Sequence, residues 1–318
     1  MKKNQGREWR SANRREERDS TGSSRRVRPG DRRPKQARDI HSRSSYTSRD
    51  GRPRSDAVPE PAGDRERGQP SDHCWGKNPV IALLEADPAR CLKVIISKTM
   101  RGSASEKIIN LCGASGVPYS FLESRAMNGI IGTEDHQGVI ATVSPMRLLT
   151  LEEAVELIPE PPEHALIVLL DHIQDPHNLG AMIRSAETVG AVLVALPLRR
   201  SSLPTGTVAK TSAGASARLP IASVGNVAYA VRKFQEAGLW TIGLDANAKE
   251  SIYGSSIPSR ALMVVGSEDG GLGRTTAAAC DELLRIPIKG MTGSLNASVA
   301  LAIGMFEWAR VNNFSARP

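Results

Sequence analysis

Apolar and polar positions divide the chain into an amino-terminal stretch without periodicity and a longer part in which apolar runs alternate with helical spacing. Early in this longer part, apolar runs predict strands at 92–96, 117–122 and 138–143. Helical spacing predicts helices at 79–86 and 105–114. Strands that alternate with helices in this way are typical of a small α/β domain.

A second α/β region begins at residue 165. Its first element, Ala165–Leu170 (ALIVLL), is a continuous apolar run, which is typical of a strand buried on both faces of a parallel sheet. The helix after it is predicted to be capped by Asn178 and to end at Gly190. Further elements are predicted as strands at 191–196, 239–244, 262–265 and 283–288, and as a last helix from Leu295 to about Arg310. The fold class predicted is therefore α/β with a mostly parallel sheet.

These patterns predict four parts along the chain. Residues 1–72 form a disordered tail, because few apolar side chains are available there to offset the entropy of ordering it. Residues 73–146 form the small α/β domain, and 147–163, which closes on three prolines, form a linker. Residues 164–314 form the larger α/β domain.

Charge is unevenly distributed between these parts. The tail holds 20 basic residues, 17 of them arginine, against 12 acidic ones, and the remainder holds 22 of each. The net charge of +8 therefore belongs to the tail. Arginine pairs such as Arg25–Arg26 are suited to contacting RNA phosphates without reading sequence. The alternative is a solubilising tail with no partner.

Composition also excludes several classes of protein. No apolar run approaches the roughly 20 residues of a membrane span, and the amino terminus lacks the apolar stretch of a secretory signal. The four cysteines include no CxxC pair, which argues against a disulfide framework or a zinc site and favours reduced thiols in the cytoplasm. No metal site and no membrane partner are expected.

Three loops follow predicted strands and combine polar residues with glycines, at 171–184, 266–273 and 286–296. Ligands of open parallel sheets bind beyond the carboxyl ends of the strands, where these loops lie. The residues alone favour a nucleotide-like ligand without fixing it. The GxGxxG, GxxxxGK[ST] and GxSxG patterns of dinucleotide-binding proteins, P-loop proteins and α/β-hydrolases are all missing.

At these loops the chain resembles the SpoU branch of the SPOUT-class RNA 2′-O-ribose methyltransferases. The first motif is DPHNLG at 175–180 with Arg184, the second is VVGSEDGGLG at 264–273, and the third is Ile286-Pro287 followed by SLNASVA at 294–300. Upstream, GKNPVIALLE at 76–85 and HQGVIA at 136–141 resemble the substrate-binding domain of bacterial 23S rRNA guanosine methyltransferases.

The resemblance implies S-adenosylmethionine as methyl donor, RNA as substrate and a homodimer whose active site uses both subunits. It also implies a trefoil knot at the carboxyl-terminal end of the larger domain and an L30e-like small domain. Phe306 and Trp308 on the last helix are candidates for the dimer interface. Lys210 is a candidate for an RNA phosphate contact.

The motifs also imply roles for particular residues. Gly266, Ile286 and Leu295 match cofactor-binding positions, and Asn178, Glu268, Ser294 and Asn296 match positions that organise the pocket and the substrate. Arg184 matches the arginine that activates the 2′-hydroxyl. Guanidinium is not deprotonated in proteins, so this arginine is expected to lower the pKa of the hydroxyl or to bind a neighbouring phosphate.

The expected reaction is therefore methylation of a ribose 2′-oxygen in RNA, most closely that of a guanosine in 23S rRNA. A tRNA ribose methyltransferase and a resistance-type ribosomal methyltransferase are the alternative enzymes, and the small upstream domain favours ribosomal RNA over tRNA. A non-catalytic RNA-binding factor in ribosome assembly is the alternative from another class. The complete set of motif residues argues against it.

Overall fold

The computed structural model describes residues 72–268 and 270–313. The predicted basic tail lies outside these described residues except for Asp72. The described residues form two sheets within one compact unit. No helix among them is both long and apolar enough to cross a membrane.

The smaller sheet has four strands in the order β1-β4-β2-β3. They are β1 (Asp72–Trp75), β2 (Cys91–Ser97), β3 (Tyr119–Leu122) and β4 (Val139–Val143), joined by α1 (Lys77–Ala86), a 3₁₀ turn (Pro88–Arg90), α2 (Ser103–Ser115) and α3 (Ser124–Ile131). β2 and β3 are parallel, whereas β4 runs antiparallel to both β1 and β2. The sequence did not predict β1 or α3, because β1 is short and begins with two polar residues, and α3 buries only Met127.

The larger sheet has seven strands in the order β7-β6-β5-β10-β8-β11-β9. Every neighbouring pair in it is parallel, as the sequence predicted. The strands are β5 (Ala165–Asp171), β6 (Leu193–Pro197), β7 (Ile221–Val224), β8 (Trp240–Leu244), β9 (Glu250–Ser251), β10 (Arg260–Gly266) and β11 (Glu282–Arg285). The unpredicted strands β7 and β9 are too short to show a period.

Helices cover both faces of the larger sheet, and the central strand β5 is buried along its whole length. Side chains alternate along a strand, so Leu166 and Val168 face one layer while Ile167 and Leu169 face the other. The first layer contains α5 (Pro176–Val189), α6 (Gly206–Thr211) and α9 (Ala297–Val311). The second contains α4 (Leu151–Glu156), α7 (Val227–Glu236) and α8 (Arg274–Ala279).

The segment predicted as a linker, 147–163, is packed against the larger sheet. Leu149 extends the sheet beside β7, where its amide donates to the Ile221 carbonyl at 2.9 Å. Thr150 then starts α4 with a capping box. Ile158, just after α4, is buried in the same core as the second helical layer. The segment is therefore a structural part of the larger α/β region.

The two sheets meet at α6 through a contact that only glycine permits. A Cβ atom on Gly206 would lie 2.0 Å from the His73 carbonyl oxygen and 2.3 Å from the Trp75 ring. Beside this contact, the Lys210 ammonium donates to the Asp135 carbonyl at 2.8 Å and to its carboxylate at 3.2 Å. Lys210, predicted as a candidate for RNA contact, thus joins the two sheets.

We expect Gly206→Val to lower the free energy of unfolding by about 1–3 kcal/mol, because overpacking forces backbone apart at this contact. Chemical denaturation of the purified variant measures the change. Gly113→Ala in α2 is the matched control, since no atom lies within 4 Å of the added methyl. It should be neutral or slightly stabilising, as alanine favours helix over glycine. Equal stability of Gly206→Val and wild type would contradict the close contact.

Burial also lowers the reactivity of the cysteine thiols. It raises the pKa of the Cys74, Cys91 and Cys280 thiols to about 12, and it raises that of Cys112. The thiolate is the reactive form, so at about pH 8 we expect the native protein to react slowly with a chromogenic disulfide reagent. In denaturant all four thiols should react rapidly. Rapid release of one equivalent from native protein would contradict this expectation.

Candidate active site

The second and third motif loops meet beside the end of β8 and line a cleft of about 430 Å³. Gly266 and Glu268 come from the end of β10, and Ile286, Ser294 and Leu295 come from the segment that leads into α9. These lining residues stand at the carboxyl end of the larger sheet, where the sequence placed the ligand. The cleft falls within the size range of small-molecule sites.

Side chains from all three motifs form one chain of hydrogen bonds at the edge of this cleft. The Asn178 amide donates from Nδ2 to Oε1 of Glu268 at 2.5 Å. The Asn296 amide donates from Nδ2 to Oδ1 of Asn178 at 3.0 Å. Asn178 is 90 residues from Glu268 and 118 from Asn296 along the chain, so the fold itself brings these groups together.

The helix starts explain why these two amides are available to each other. Asp175 caps α5, since its carboxylate accepts from the His177 and Asn178 amides, and Pro176 occupies the first turn. The prediction that Asn178 caps this helix is therefore wrong, and the Asn178 side chain is free to reach Glu268. Asn296 does cap α9 through Oδ1, and its Nδ2 remains for Asn178.

Gly266 is required by the close approach of two backbone segments. A Cβ atom there would lie 2.0 Å from the carbonyl carbon and oxygen of Gly271 and 2.3 Å from the Leu272 nitrogen. Ser267 and Gly271 form an isolated antiparallel bridge, and the Gly271 amide donates to the Ser267 carbonyl at 2.9 Å. The second motif therefore folds back on itself against the end of β10 and forms one wall of the cleft.

The third motif contributes mostly apolar and exposed surface. Ile286 packs against the core of the larger sheet, and Leu295 is 38% exposed while lining the cleft. Ser294 lies between Gly293 and Leu295 on the same wall, and its side chain is exposed. The structure therefore places all three residues on one wall of the cleft.

Arg184 is not part of the hydrogen-bonded chain within one subunit. It lies six residues beyond Asn178 on α5, which is roughly 9 Å along the helix axis and on a different face. Its side chain is exposed, and no ion pair within 72–268 and 270–313 engages it. A single subunit therefore brings together Asn178, Glu268 and Asn296 but leaves Arg184 outside.

Sequence reasoning missed three polar residues near the cleft. Asp245 and Asn247 line it directly after β8, and the Asn247 amide donates to the Asp245 carboxylate at 2.8 Å. Asp171, at the end of β5, is buried and accepts from the Gly273 amide at 2.9 Å, which fixes the second motif. The signal was their position, because each follows a predicted apolar strand at the edge where the motif loops lie.

Two histidines close to the predicted motifs, His136 and His172, have structural contacts. His136 is buried, with Nδ1 accepting from the Gly138 amide at 2.9 Å and Nε2 bonded to the Asn128 side-chain oxygen at 2.9 Å. His172 pairs through Nδ1 with the buried Asp171 carboxylate at 2.5 Å. These contacts indicate that both histidines have structural roles.

The described cleft is acidic and apolar, since Asp245 and Glu268 line it and neither lysine nor arginine appears among its described lining residues. Such a lining suits a cationic ligand with apolar surface. The parallel sheet with helices on both faces and a preformed cleft beyond its carboxyl edge places the protein in the class of α/β proteins that bind a small molecule.

Comparison with known families and proteins places the chain within this class. Residues 165–306 match the model of the SpoU rRNA methylase family, and residues 74–149 match the model for RNA 2′-O-ribose methyltransferase substrate binding. The 23S rRNA (guanosine-2′-O-)-methyltransferase RlmB of Photobacterium profundum is 34% identical over 240 residues, which cover 76% of this chain and 98% of that protein. A Bacillus subtilis protein of the TrmH family, YacO, whose name leaves tRNA and rRNA open, is 35% identical over 77% of this chain and 98% of its own length.

Solved structures show the same fold. An AdoMet-bound rRNA methyltransferase from Sinorhizobium meliloti aligns with a TM-score of 0.63 at 23% identity, over 76% of this chain and 87% of that one. The chain belongs to the SpoU rRNA methylase family. This membership confirms the prediction, made from the three motifs, of an RNA 2′-O-ribose methyltransferase.

Proposed function

We propose that this protein transfers the methyl group of S-adenosylmethionine to the 2′-oxygen of a guanosine ribose in 23S rRNA. The hydrogen-bonded chain of Asn178, Glu268 and Asn296 at the edge of the cleft carries this proposal, because it assembles all three family motifs into one polar site. The choice of 23S rRNA is supported by relatives of that name, which this chain matches over nearly their whole length.

The residues of the cleft fit S-adenosylmethionine. Gly266 keeps the cleft wall thin, Ile286 and Leu295 offer apolar surface to an adenine ring, and Asp245 and Glu268 supply negative charge. When bound, the donor supplies an electrophilic methyl group on a positively charged sulfur. We assign Gly266, Ile286 and Leu295 to cofactor binding on this basis. No metal is required for this chemistry.

The chain's own residues would hold the ribose and stabilise negative charge on its 2′-oxygen. Asn178 and Asn296 are fixed by each other and by Glu268, so their remaining polar atoms can orient a ribose hydroxyl without further ordering cost. Ser294, on the adjacent wall, offers an exposed hydroxyl to the same group. Arg184 would lower the pKa of the 2′-hydroxyl by placing a fixed positive charge beside the developing negative oxygen.

Arg184 can act in this way only if a second subunit completes the site, since one subunit leaves it outside. We infer a homodimer formed through the outer face of α9. Val299 and Phe306 lie seven residues apart on that face and are 47% and 48% exposed. Exposed apolar surface of this kind marks a protein interface. α9 packs against α5, which carries Arg184, so the same interface lies beside that arginine.

Trp308 does not belong to this face, contrary to the prediction from sequence. It is 4% exposed, and its indole nitrogen donates to the Pro258 carbonyl at 3.0 Å within the same subunit. The sequence prediction of an interface through Phe306 and Trp308 is therefore wrong for Trp308. Of these two aromatic residues, Phe306 is the one whose side chain is available to a second subunit.

We expect the double substitution Val299→Glu with Phe306→Glu to convert the protein into a monomer, because two carboxylates would be buried without partners in the dimer. Light scattering coupled to size-exclusion chromatography gives the mass directly. Leu92→Glu is the control, since Leu92 is 51% exposed on the smaller sheet, away from α9. A dimer that survives the double substitution, or a monomeric wild type, would contradict the assignment of this face.

We also propose the domain division that the sequence predicts. Residues 73–146 would form an L30e-like domain that binds the RNA substrate, and 164–314 the catalytic domain, against which the connecting segment 147–163 is packed. The segments 266–273 and 286–296 would form the loops of a trefoil knot, in which the chain passes through itself near the cofactor. The arginine-rich tail would add RNA affinity through its positive charge. We place this activity in the cytoplasm, with the ribosomal substrate.

Labelled S-adenosylmethionine tests the proposed function. The full-length protein is incubated with unmodified 23S rRNA and, separately, with unmodified tRNA, and Arg184→Ala serves as the inactive comparison. Label in 23S rRNA that depends on Arg184 is the expected result. Label in tRNA alone would support the tRNA methyltransferase alternative. If no preparation of the protein binds S-adenosylmethionine, the non-catalytic RNA-binding alternative is supported.

A further inference from the structure

A second cavity lies on the other side of the second motif loop from the cofactor cleft. It has a volume of about 570 Å³ and opens at the carboxyl ends of β5, β6, β7 and β10. Ser267, Gly270 and Gly271 line both this cavity and the cofactor cleft. One thin loop therefore separates the two. We call the second cavity the arginine pocket, and its polar side chains include His172, Gln174, Arg199, Arg200, Asn226 and Thr275.

The charges of the two cavities are opposite. The described lining of the cofactor cleft carries Asp245 and Glu268 and no cationic side chain. The described lining of the arginine pocket carries Arg199 and Arg200, and its acidic group is Asp171. Asp171 is 3% exposed, and its carboxylate already bonds His172 and the Gly273 amide. The pocket therefore presents positive charge to a ligand.

Neither arginine forms an ion pair within the described residues that would explain its position. Both are exposed, and within 72–268 and 270–313 no ion pair engages either guanidinium. Arg218, by contrast, pairs with Glu187 at 2.8 Å in the same domain. Two adjacent guanidiniums at the opening of a cavity are suited to an anion that accepts several hydrogen bonds, as a phosphodiester does.

Backbone geometry holds this pocket in a defined shape. His172 and Arg200 have φ angles of 64° and 57°, in the left-handed region that non-glycine residues rarely adopt. The Ser202 amide donates to the Ile173 carbonyl at 2.7 Å and so ties the loop of the arginines to the loop that leads into α5. That second loop continues directly to Asn178. Strained backbone in contact with a cavity is typical of functional sites.

We propose that the arginine pocket binds a phosphodiester of the RNA strand next to the ribose that is methylated. The cofactor cleft repels polyanions and cannot itself hold the RNA backbone, whereas the arginine pocket attracts them from one loop away. Binding a neighbouring phosphate at Arg199 and Arg200 would fix the strand while Asn178 and Asn296 orient the hydroxyl. This inference rests on the proposed function, because it names how the same site holds its RNA substrate.

The test uses a double variant in which both Arg199 and Arg200 are replaced by alanine, and compares it with a matched control. The control, Arg232→Ala with Lys249→Ala, removes two exposed cations from the same domain outside both cavities. Filter binding measures the Kd for unmodified 23S rRNA over a salt series. Calorimetry measures the Kd for S-adenosylmethionine, and steady-state assays separate KM for RNA from kcat.

We expect the pocket variant to bind RNA about tenfold more weakly than the control, with the slope of log K against log salt reduced by about 0.7 for each phosphate that the variant no longer neutralises. KM for RNA should rise by a similar factor while kcat and the Kd for the donor stay unchanged. Lysine at both positions should restore most of the salt slope but less of the affinity, because lysine lacks the planar fork of the guanidinium.

Equal RNA affinity and salt slope in the pocket variant and the control would overturn the proposal. A weaker Kd for S-adenosylmethionine in the pocket variant would also overturn it, because the cavity would then serve the donor. If the wild type binds RNA but transfers no methyl group, the proposed function fails, while the binding comparison still decides the role of the arginine pocket. A wild type that does not bind 23S rRNA would overturn both.

Discussion

Replacing Asn178 with alanine should lower kcat for methyl transfer by about a hundredfold or more, which is the effect of removing a preorganised polar group at a reacting centre. Asn178 is the central member of the hydrogen-bonded chain, since it donates to Glu268 and accepts from Asn296. Its loss would free both partners to move and leave the ribose hydroxyl without its fixed neighbours. Single-turnover assays on the purified protein measure the chemical step itself.

Two further variants show whether the effect is specific. Asn178→Asp would place a second carboxylate against Glu268 at a contact that is now 2.5 Å, so it should impair the reaction at least as much as alanine. Asn110→Ala removes an exposed asparagine from α2 and should leave kcat unchanged. Wild-type kcat in Asn178→Ala would show that the hydrogen-bonded chain is structural and that catalysis depends on other groups.

Gly266→Ala should abolish detectable binding of S-adenosylmethionine, with a Kd raised at least about a hundredfold. The added methyl would lie 2.0 Å from backbone atoms of Gly271, which cannot rotate away as a side chain would. The second motif loop must therefore shift, and the cleft wall shifts with it. Isothermal titration calorimetry gives the Kd, and circular dichroism establishes that the variant is folded.

A second glycine of the same loop provides the matched control. At Gly270 the nearest atom to an added Cβ is the Ser267 hydroxyl at 3.5 Å, which is an ordinary contact. Gly270→Ala should therefore keep the fold and bind the donor within about threefold of wild type, because a contact of this length adds little strain. Donor binding by a folded Gly266→Ala protein that equals wild type would contradict the assignment of this cleft to the cofactor.

Much of the larger sheet could be predicted from the chain because its central strands are long and apolar. The run at 165–170 became β5, buried on both faces, and the strands predicted at 239–244 and 262–265 fall within or close to β8 and β10. The strands β1 (DHCW) and β7 (IASV) were not predicted, since polar residues interrupt any apolar run in these short segments. Short elements acquire their structure from the strands beside them.

The last helix shows where periodicity fails. Val299 and Phe306, seven residues apart, belong to one apolar stripe of this helix, but both side chains face outward in the subunit. Leu301, Met305 and Trp308 pack against the sheet instead. A helix that is apolar on both sides gives no indication of which side meets the core. Its second apolar face agrees with the homodimer that we infer.

The sequence predicted which residues belong to the candidate site, but it did not predict the hydrogen bonds between them. The motif spacing brought Asn178, Glu268 and Asn296 to attention, yet only the fold shows that they bond directly to one another. The N-cap of α5 was predicted to be Asn178, but the helix begins earlier, at Pro176, and Asp175 is its N-cap. No sequence motif marks the arginine pocket. Arg199 and Arg200 became candidates for RNA binding only because the fold places them beside a cavity.

The position of the transferred methyl group distinguishes methylation of a ribose from methylation of a base. Unmodified 23S rRNA is incubated with the full-length protein and S-adenosylmethionine, digested to nucleosides and analysed by mass spectrometry, with Asn178→Ala in parallel. We expect 2′-O-methylguanosine from wild type and little or none from the variant. A guanosine methylated on its base, or RNA that stays unmodified although the donor binds, would contradict it.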